Sequence, residues 1–258
     1  MSNILTETSG AVYRITLNRP EKYNSMDWNT AQALQAALDK ASEDDAVRCI
    51  VITGAGKGFC AGQDLAAASD PDTIDFAKMV EEQYNAVIRR LRKIEKPIVA
   101  AVNGVAAGAG ANIALACDIV VATESASFVQ AFSKISLIPD SGGTFFLPRL
   151  VGLGRALPMA MLAEKVSAEE AAQMGMIWRA YPDESFPEEV EKLAATLAAL
   201  PTKALGLTKR AMNSAFENSL EQQLAMEKEL QVEAGKTQDF REGVAAFLEK
   251  RKPVFSGR

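Results

Sequence analysis

Two glycine-rich loops carry the residues whose types and spacing best suit chemistry. One spans residues 58–65 and the other residues 103–111. They follow short, continuous apolar runs at residues 49–52 and 98–102, which are typical of strands buried on both faces. Open α/β sheets bind ligands at the carboxyl ends of their strands. Small residues there would let a substrate approach the backbone N–H groups, and two donors converging on one oxygen would form an oxyanion hole. Each loop considered alone more commonly serves tight packing.

The chain of 258 residues contains no histidine. This absence excludes Ser-His-Asp and Cys-His catalytic arrangements and every histidine metal ligand, so no metal site is expected. Acid–base chemistry near neutral pH must come from Asp, Glu, Lys, Tyr or Cys. The three cysteines, Cys49, Cys60 and Cys117, are far apart, which excludes a four-cysteine zinc site and a disulfide framework and indicates a reducing cytoplasm. Cys60 has no evident base to activate it and is predicted to pack.

Charge and hydropathy limit the possible partners. The net charge of -5 argues against a broad nucleic-acid-binding surface. Residues 1–10 lack the pattern of a signal peptide. The longest apolar stretch, residues 98–116, is interrupted by asparagines and glycines and does not reach the length of a membrane span. The sequence therefore predicts a soluble, cytoplasmic protein that binds neither nucleic acid nor membrane.

The order of elements predicts an α/β fold. Buried strands alternate with helices up to Asp140, which indicates a largely parallel sheet. Ser167 with Glu170 and Ser219 with Gln222 have capping-box spacing. Beyond Pro201 only helices are expected. We therefore predict an α/β core at residues 1–200, which would bind the substrate, and a helical region at residues 201–258.

Several ordered motifs together resemble the crotonase family of enoyl-CoA hydratases and isomerases. They are the two loops, Leu17-Asn18-Arg19-Pro20, Ile138-Pro139-Asp140-Ser141-Gly142-Gly143-Thr144, Arg241-Glu242-Gly243 and Phe247-Leu248-Glu249-Lys250-Arg251. The resemblance covers essentially the whole chain. It implies a spiral of β-β-α units ending in helices that mediate assembly into a homotrimer or a dimer of trimers. It also implies an acyl-CoA thioester substrate and no cofactor, because coenzyme A is part of the substrate.

The same resemblance assigns roles to individual residues. The backbone N–H groups of Gln63 and Ala109 would hold the thioester oxygen. The predicted substrate contacts are Lys22, Ala61, Gly62, Asp64, Leu65, Gly108, Gly110 and Phe132. Lys22 would lie near coenzyme A, with Arg19 as a weaker candidate. For Lys250, Arg251 and Lys252, contact with coenzyme A and a solvated helix end are equally compatible with the pattern. The carboxylates of Asp64 and Asp118 are expected to fix loops through backbone hydrogen bonds.

The remaining carboxylates favour an isomerase. Hydratases of the family use two glutamates toward water, and their positions here are Asn112 and Phe132, neither of which exchanges a proton near pH 7. Asp140 could cap a helix, but the family resemblance favours it as the general acid/base. The loops, residues 132–134 and residues 176–178 resemble the branch that isomerises ring epoxides of phenylacetyl-CoA and shifts enoyl-CoA double bonds. The alternatives are a hydratase with another acid–base pair and a non-catalytic relative that binds coenzyme A or RNA.

Overall fold

The computed structural model describes residues 2–65 and 75–258. Ten strands are described: β1 (Ile4–Ser9), β2 (Val12–Leu17), β3 (Cys49–Gly54), β4 (Gly58–Cys60), β5 (Ile98–Val102), β6 (Val105–Ala107), β7 (Ile119–Thr123), β8 (Ser127–Val129), β9 (Lys165–Ser167) and β10 (Arg179–Tyr181). The α-helices described are α1 (Trp28–Glu43), α2 (Phe76–Lys78), α3 (Ala86–Lys93), α4 (Ala109–Leu115), α5 (Gly143–Val151), α6 (Leu153–Leu162), α7 (Ala168–Gln173), α8 (Phe186–Ala199), α9 (Thr202–Ser214), α10 (Leu220–Ala234) and α11 (Gln238–Glu249). A π-helical turn, Met79–Asn85, joins α2 to α3.

The larger sheet has six strands in the order β1-β2-β3-β5-β7-β10. All neighbours in it are parallel except β1 and β2, which are antiparallel. This confirms the predicted largely parallel pairing. Strand β1 was not expected, because only Ile4 of its six residues is buried and the others are exposed. An edge strand that faces solvent carries almost no hydrophobic signal in the sequence.

A second sheet of four short strands, in the order β4-β6-β8-β9, carries the two glycine-rich loops. Strand β4 pairs in parallel with β6, and β6 in parallel with β8. Each of the four strands has only three residues, too few to show a period in the sequence. This pairing places the two loops side by side.

The core lies on both faces of the larger sheet. On one face, side chains of α1, α3 and α4 pack against the sheet around Ile15, Ile52 and Ala100, all fully buried. On the other face, α8 packs through Val190 and Ala194. Because both faces are covered, β3 and β5 need continuous apolar sequences, as was expected of them.

Three helices, α9 to α11, follow Pro201, and the ten described strands all precede it. Both predicted capping boxes are confirmed, at the starts of α7 and α10. The division into regions at residue 200 stays a prediction. No helix in the described part of the chain is long and apolar enough to cross a membrane.

Candidate active site

The first loop leaves β4 at Cys60 and is held by the backbone of Met26. The N–H of Met26 donates to the carbonyl of Gly62 over 2.7 Å, and the N–H of Asp64 donates to the carbonyl of Met26 over 2.9 Å. Gln63 therefore pairs with Met26 in a parallel bridge. The hydrogen bonds of this bridge are made by Gly62 and Asp64, the neighbours of Gln63, and not by Gln63 itself. The N–H of Gln63 therefore points away from Met26.

The two loops touch at Gly62. This residue has φ +87°, and a Cβ on it would lie 2.8 Å from the carbonyl oxygen of Ala107 and 3.4 Å from the nitrogen of Ala109. Both its backbone conformation and the lack of space require glycine. Gly110 and Cys60 also approach each other at backbone distance, because a Cβ on Gly110 would overlap the carbonyl oxygen of Cys60. Glycines at these points allow the loops to approach each other at backbone distance.

Ala109 is the first residue of α4 and is almost fully buried. The N–H groups of the first helical turn have no acceptor within their own helix. Gly108, just before it, donates its N–H to the carbonyl of Val129 over 2.8 Å, which anchors the turn to β8. The structure thus places Gln63 and Ala109 on adjacent loops, each with a backbone N–H directed out of its own element.

Asp140 lies half-buried in the turn before α5. Its Oδ1 accepts a hydrogen bond from the hydroxyl of Ser141 over 2.8 Å. Burial raises the pKa of the Asp140 carboxyl, and the Ser141 hydrogen bond opposes that rise. The N-cap of α5 is Gly142, and no side chain caps that helix, so the carboxylate of Asp140 is not a helix cap. A partly desolvated carboxylate with a raised pKa is suited to proton transfer.

Asn112 and Phe132 are the two residues that the family resemblance predicts at the glutamate positions of a hydratase. Asn112 is fully buried; its Nδ2 donates to the carbonyl of Asp140 over 2.9 Å, and its Oδ1 accepts from Nε2 of Gln130 over 2.8 Å. The ring of Phe132 is buried beside Gly108, 3.8 Å from where a Cβ on that glycine would lie. Neither side chain can exchange a proton with water near pH 7.

Asp64 is part of a buried ion-pair cluster. Its Oδ2 accepts from Lys22 over 2.8 Å and from Arg19 over 2.7 Å, and the Asp64 side chain is only 5% exposed. The hydrogen bond from Lys22 lowers the pKa of Asp64, and Arg19 lowers it further against the effect of burial. The carboxylate binds side chains here, whereas backbone hydrogen bonds were expected. The Lys22 side chain remains 44% exposed, and Arg19 is buried.

Two other predicted substrate contacts, Ala61 and Leu65, lie in the first loop. Ala61 donates its N–H to the carbonyl of Tyr23 over 2.9 Å, and Leu65 is exposed at the end of the first loop.

Burial raises the pKa of the Cys60 thiol to about 11, so it stays protonated and is no nucleophile near pH 7. Asp118 accepts a hydrogen bond from the N–H of Ile98 over 2.9 Å, as expected.

At the C-terminal end, Arg251 forms ion pairs with Glu242 and Glu249, while Lys250 and Lys252 are exposed. In residues 2–65 and 75–258, no three His, Cys, Asp or Glu side chains form a group that could hold a metal ion.

One residue of the site escaped the sequence analysis. Tyr84 is fully buried, and its hydroxyl donates to Oε1 of Gln63. In the sequence, Tyr84 shares helical spacing with the apolar residues Val80, Val87 and Leu91, which by itself predicts a packing role. The feature that could have indicated a further role is the hydroxyl of Tyr84, because a buried tyrosine usually needs a hydrogen-bond partner.

Comparison with known proteins agrees with this geometry. Residues 7–258 match the enoyl-CoA hydratase/isomerase family. The chain is 49% identical to the 1,2-epoxyphenylacetyl-CoA isomerase of Escherichia coli (strain K12), with 100% of both proteins covered. It is 47% identical to a "Probable enoyl-CoA hydratase" of Rhodobacter capsulatus, covering 98% of this chain and 97% of that one. The crystal structure of an enoyl-CoA hydratase from Bacillus anthracis superposes with a TM-score of 0.91 at 32% identity, covering 99% of this chain and 100% of that one.

The chain therefore belongs to the enoyl-CoA hydratase/isomerase family, the crotonase family that its motifs resemble. It has the crotonase fold and is an enzyme that acts on acyl-CoA thioesters. The family resemblance and the fold class predicted from the sequence are both confirmed.

Proposed function

We propose that the protein is an acyl-CoA isomerase that moves a double bond into conjugation with the thioester. Its substrates would be ring-1,2-epoxyphenylacetyl-CoA, enoyl-CoA thioesters, or both. One observation supports the proposal: Asp140 is a partly buried carboxylate with a raised pKa, and its backbone is bound by Asn112 of α4. Asn112 and Phe132, which the family resemblance predicts at the glutamate positions of a hydratase, carry no carboxylate. A single base can take a proton from one carbon and return it to another, whereas addition of water by the usual route needs two carboxylates.

The proposed mechanism begins at the thioester oxygen. The N–H groups of Gln63 and Ala109 donate to this oxygen, which becomes negative when a proton leaves the neighbouring carbon. Donors that are already oriented need no reorganisation, and each can contribute about 3–4 kcal/mol to the stability of the transition state. Asp140 removes the proton next to the thioester carbonyl, and the electron pair moves through the carbonyl to the oxygen. The enolate then collapses and takes the same proton at the far end of the shifting double bond.

The ring epoxide fits the same chemistry. Cleavage of the carbon–carbon bond shared by the six-membered ring and the epoxide moves its electron pair into the ring double bonds and gives a seven-membered oxepin of unchanged composition. That oxepin has a ring double bond at the carbon that carries the CH₂, so only this CH₂ separates the double bond from the thioester carbonyl. Transfer of a proton from this CH₂ to the ring brings the double bond into conjugation, as in a 3-enoyl thioester. The E. coli relative, which is named for this substrate and is 49% identical, supports the assignment.

Coenzyme A carries phosphates, which an acidic protein must bind with local positive charge. We propose that Lys22 contacts it, because the Lys22 side chain is partly exposed although its ammonium group is paired with Asp64. The substrate contacts proposed at Ala61, Gly62, Asp64, Leu65, Gly108 and Gly110 follow the two loops, and the contact proposed at Phe132 lies beside Gly108. For Asp64, whose carboxylate is held by Lys22 and Arg19, the contact would be made by its backbone. The reaction as written needs no cofactor beyond the coenzyme A of the substrate.

The absorbance of the conjugated enoyl thioester and the mass of each product together test the proposal. The protein is incubated separately with a 3-enoyl-CoA and with crotonyl-CoA, and the Asp140→Asn variant serves as the matched control. Isomerisation gives a 2-enoyl product of unchanged mass, whereas hydration adds the mass of one water. We expect conversion of the 3-enoyl substrate and little gain of water by crotonyl-CoA. Rapid hydration of crotonyl-CoA with no isomerisation would establish the hydratase instead.

A further inference from the structure

The hydroxyl of Tyr84 makes a side-chain contact with the first loop of the site. Tyr84 is fully buried, and its hydroxyl donates a hydrogen bond to Oε1 of Gln63. Gln63 is also the residue whose backbone N–H is proposed to hold the thioester oxygen. The contact therefore joins the helical segment between α2 and α3 to an oxyanion donor.

The helix carrying Tyr84 is irregular at this point. Residues Met79–Asn85 form a π-helical turn, in which the N–H of Ala86 donates to the carbonyl of Glu81, five residues earlier. One residue inserted in the turn rotates the side chains that follow it by about 100° about the helix axis, compared with a regular α-helix. Such turns are rare and are frequently found at functional sites. The turn is itself anchored, because Nε2 of Gln35 donates to the carbonyl of Glu82 over 2.8 Å.

Tyr84 completes the restraint of Gln63. The peptide groups on either side of Gln63 are held by the two hydrogen bonds to Met26, at 2.7 and 2.9 Å. The side chain of Gln63 is held by Tyr84, whereas the remaining contact of the amide, from Nε2 to the carbonyl of Asp64, is long at 3.4 Å. Without the tyrosine hydroxyl, the side chain of Gln63 would keep only this weak contact. The direction of its backbone N–H would then be less well defined.

The phenol remains a hydrogen-bond donor at neutral pH. Burial raises the pKa of Tyr84 well above its ordinary value, and the nearby Cys60 and Asp140 raise it further. Its proton therefore stays in place while Asp140 changes its protonation state during turnover.

We propose that Tyr84 is a positioning residue that orients the oxyanion N–H of Gln63 through the glutamine side chain. This inference depends on the proposed function, since it assumes that the Gln63 N–H binds the thioester oxygen. Small displacements of a catalytic group cost up to about 100-fold in rate. Removal of one hydroxyl should cost less, and we expect kcat to fall about 10-fold in Tyr84→Phe with KM nearly unchanged.

The test compares three variants with a matched control. Tyr84→Phe removes the donor, Gln63→Met removes the acceptor but keeps the backbone N–H, and the third variant combines both. Tyr13→Phe is the control, because the hydroxyl of Tyr13 is also buried but has no hydrogen-bond partner among the described residues. Isomerisation of a 3-enoyl-CoA gives kcat and KM. Infrared spectroscopy of a bound, unreactive acyl-CoA with an isotope-labelled thioester carbonyl reports polarisation of that carbonyl.

In the parent, binding should lower the carbonyl stretching frequency. Both single variants should lose part of that shift and about 10-fold in kcat, and the double variant should lose no more than either, because all three break the same contact. Tyr13→Phe should match the parent. An unchanged shift and kcat in Tyr84→Phe would overturn the inference alone. Losses that multiply in the double variant would also overturn it, because Tyr84 would then act independently of Gln63.

Absence of any shift in the parent would instead contradict the proposed oxyanion hole itself. The carbonyl shift of the parent therefore tests the oxyanion hole, and the shift of the variants tests the role of Tyr84. If Tyr84→Phe does not fold, Gln63→Met alone provides the test, because it breaks the same contact from the loop side.

Discussion

The side-chain amide of Asn112 holds the backbone of Asp140, donating to its carbonyl oxygen over 2.9 Å. The second polar atom of Asn112 is also used, because Oδ1 accepts from Gln130 over 2.8 Å. Asn112 is therefore an anchor for the turn that contains the proposed base.

Asp140→Asn should abolish most of the activity without weakening the fold. The amide has nearly the same shape but cannot take a proton, so isomerisation should slow by about 100- to 10,000-fold. Acyl-CoA affinity, measured by calorimetry, should change little, because the thioester would be bound by the Gln63 and Ala109 N–H groups. Isomerisation within about 5-fold of the parent would show that Asp140 is not the base.

The same variant should unfold at an equal or higher Tm at pH 7. Burial raises the pKa of Asp140 in the folded state, so the folded protein binds this proton more tightly than the unfolded chain. The resulting stabilisation is complete below the unfolded-state pKa and is lost as pH rises through the folded-state pKa. At pH 7 the ionised carboxylate is therefore a cost, which asparagine removes. A clear drop in Tm would assign Asp140 a structural role.

The pH profile should report the environment of Asp140. Because a base must be ionised, kcat/KM should fall on acidification with a midpoint above the ordinary aspartate value of about 3.9. Ser141→Ala removes the hydrogen bond that lowers this pKa, so the midpoint should move to higher pH. Ser185→Ala, which alters an exposed hydroxyl away from Asp140, should leave the midpoint unchanged. A midpoint insensitive to Ser141 would indicate another titrating group.

Ala109→Pro should remove the proposed oxyanion donor while preserving α4. Proline is tolerated at the first position of a helix, and Ala109 is that residue. We expect turnover to fall by at least about 100-fold. Gln238→Pro is the matched control, because Gln238 is the exposed first residue of α11, and it should retain parent activity. Near-parent turnover of a folded Ala109→Pro variant would place the oxyanion hole elsewhere.

Asn112→Ala should reduce both stability and activity. It leaves the buried amide nitrogen of Gln130 without its acceptor, which costs about 1–3 kcal/mol of unfolding free energy. The Asp140 turn also loses its anchor, so kcat should fall. The control Gln173→Ala removes a solvated amide hydrogen bond to Glu169 and should change stability by less than about 0.5 kcal/mol. Urea unfolding and isomerase assays measure both effects, and equal stability losses in the two variants would contradict this role.

Light scattering should find a trimer or hexamer. The region from α9 to α11 exposes large apolar side chains; among them are Met212, Phe216, Leu220, Phe240, Phe247 and Leu248. Exposed apolar surface beyond what a monomer usually shows commonly marks an interface. Phe247→Glu with Leu248→Glu should dissociate the assembly, whereas Gln238→Glu on the same helix should not. A stable parent monomer of 27.7 kDa at micromolar concentration would refute the prediction.

The sequence by itself determined the fold class and the outline of the site. The buried strands β3, β5 and β7 need continuous apolar runs, and helix starts such as Ser167 and Ser219 use local capping chemistry, so both leave a mark within a few residues. Glycine loops after buried strands indicated where a ligand would bind, and the absence of histidine excluded whole classes of catalysis. The ordered motifs indicated the family, and comparison with known proteins confirmed it.

Only the tertiary structure decided how distant residues meet. The contact between Tyr84 and Gln63, the anchoring of Asp140 by Asn112, and the pairing of Asp64 with Lys22 and Arg19 join residues that lie 21 to 45 positions apart. No local pattern encodes such pairs, because hydrogen bonds between side chains depend on how the sheets and helices pack. The three-residue strands of the second sheet and the solvent-facing edge strand β1 were missed for a related reason. Their stability comes from neighbouring strands rather than from a hydrophobic period of their own.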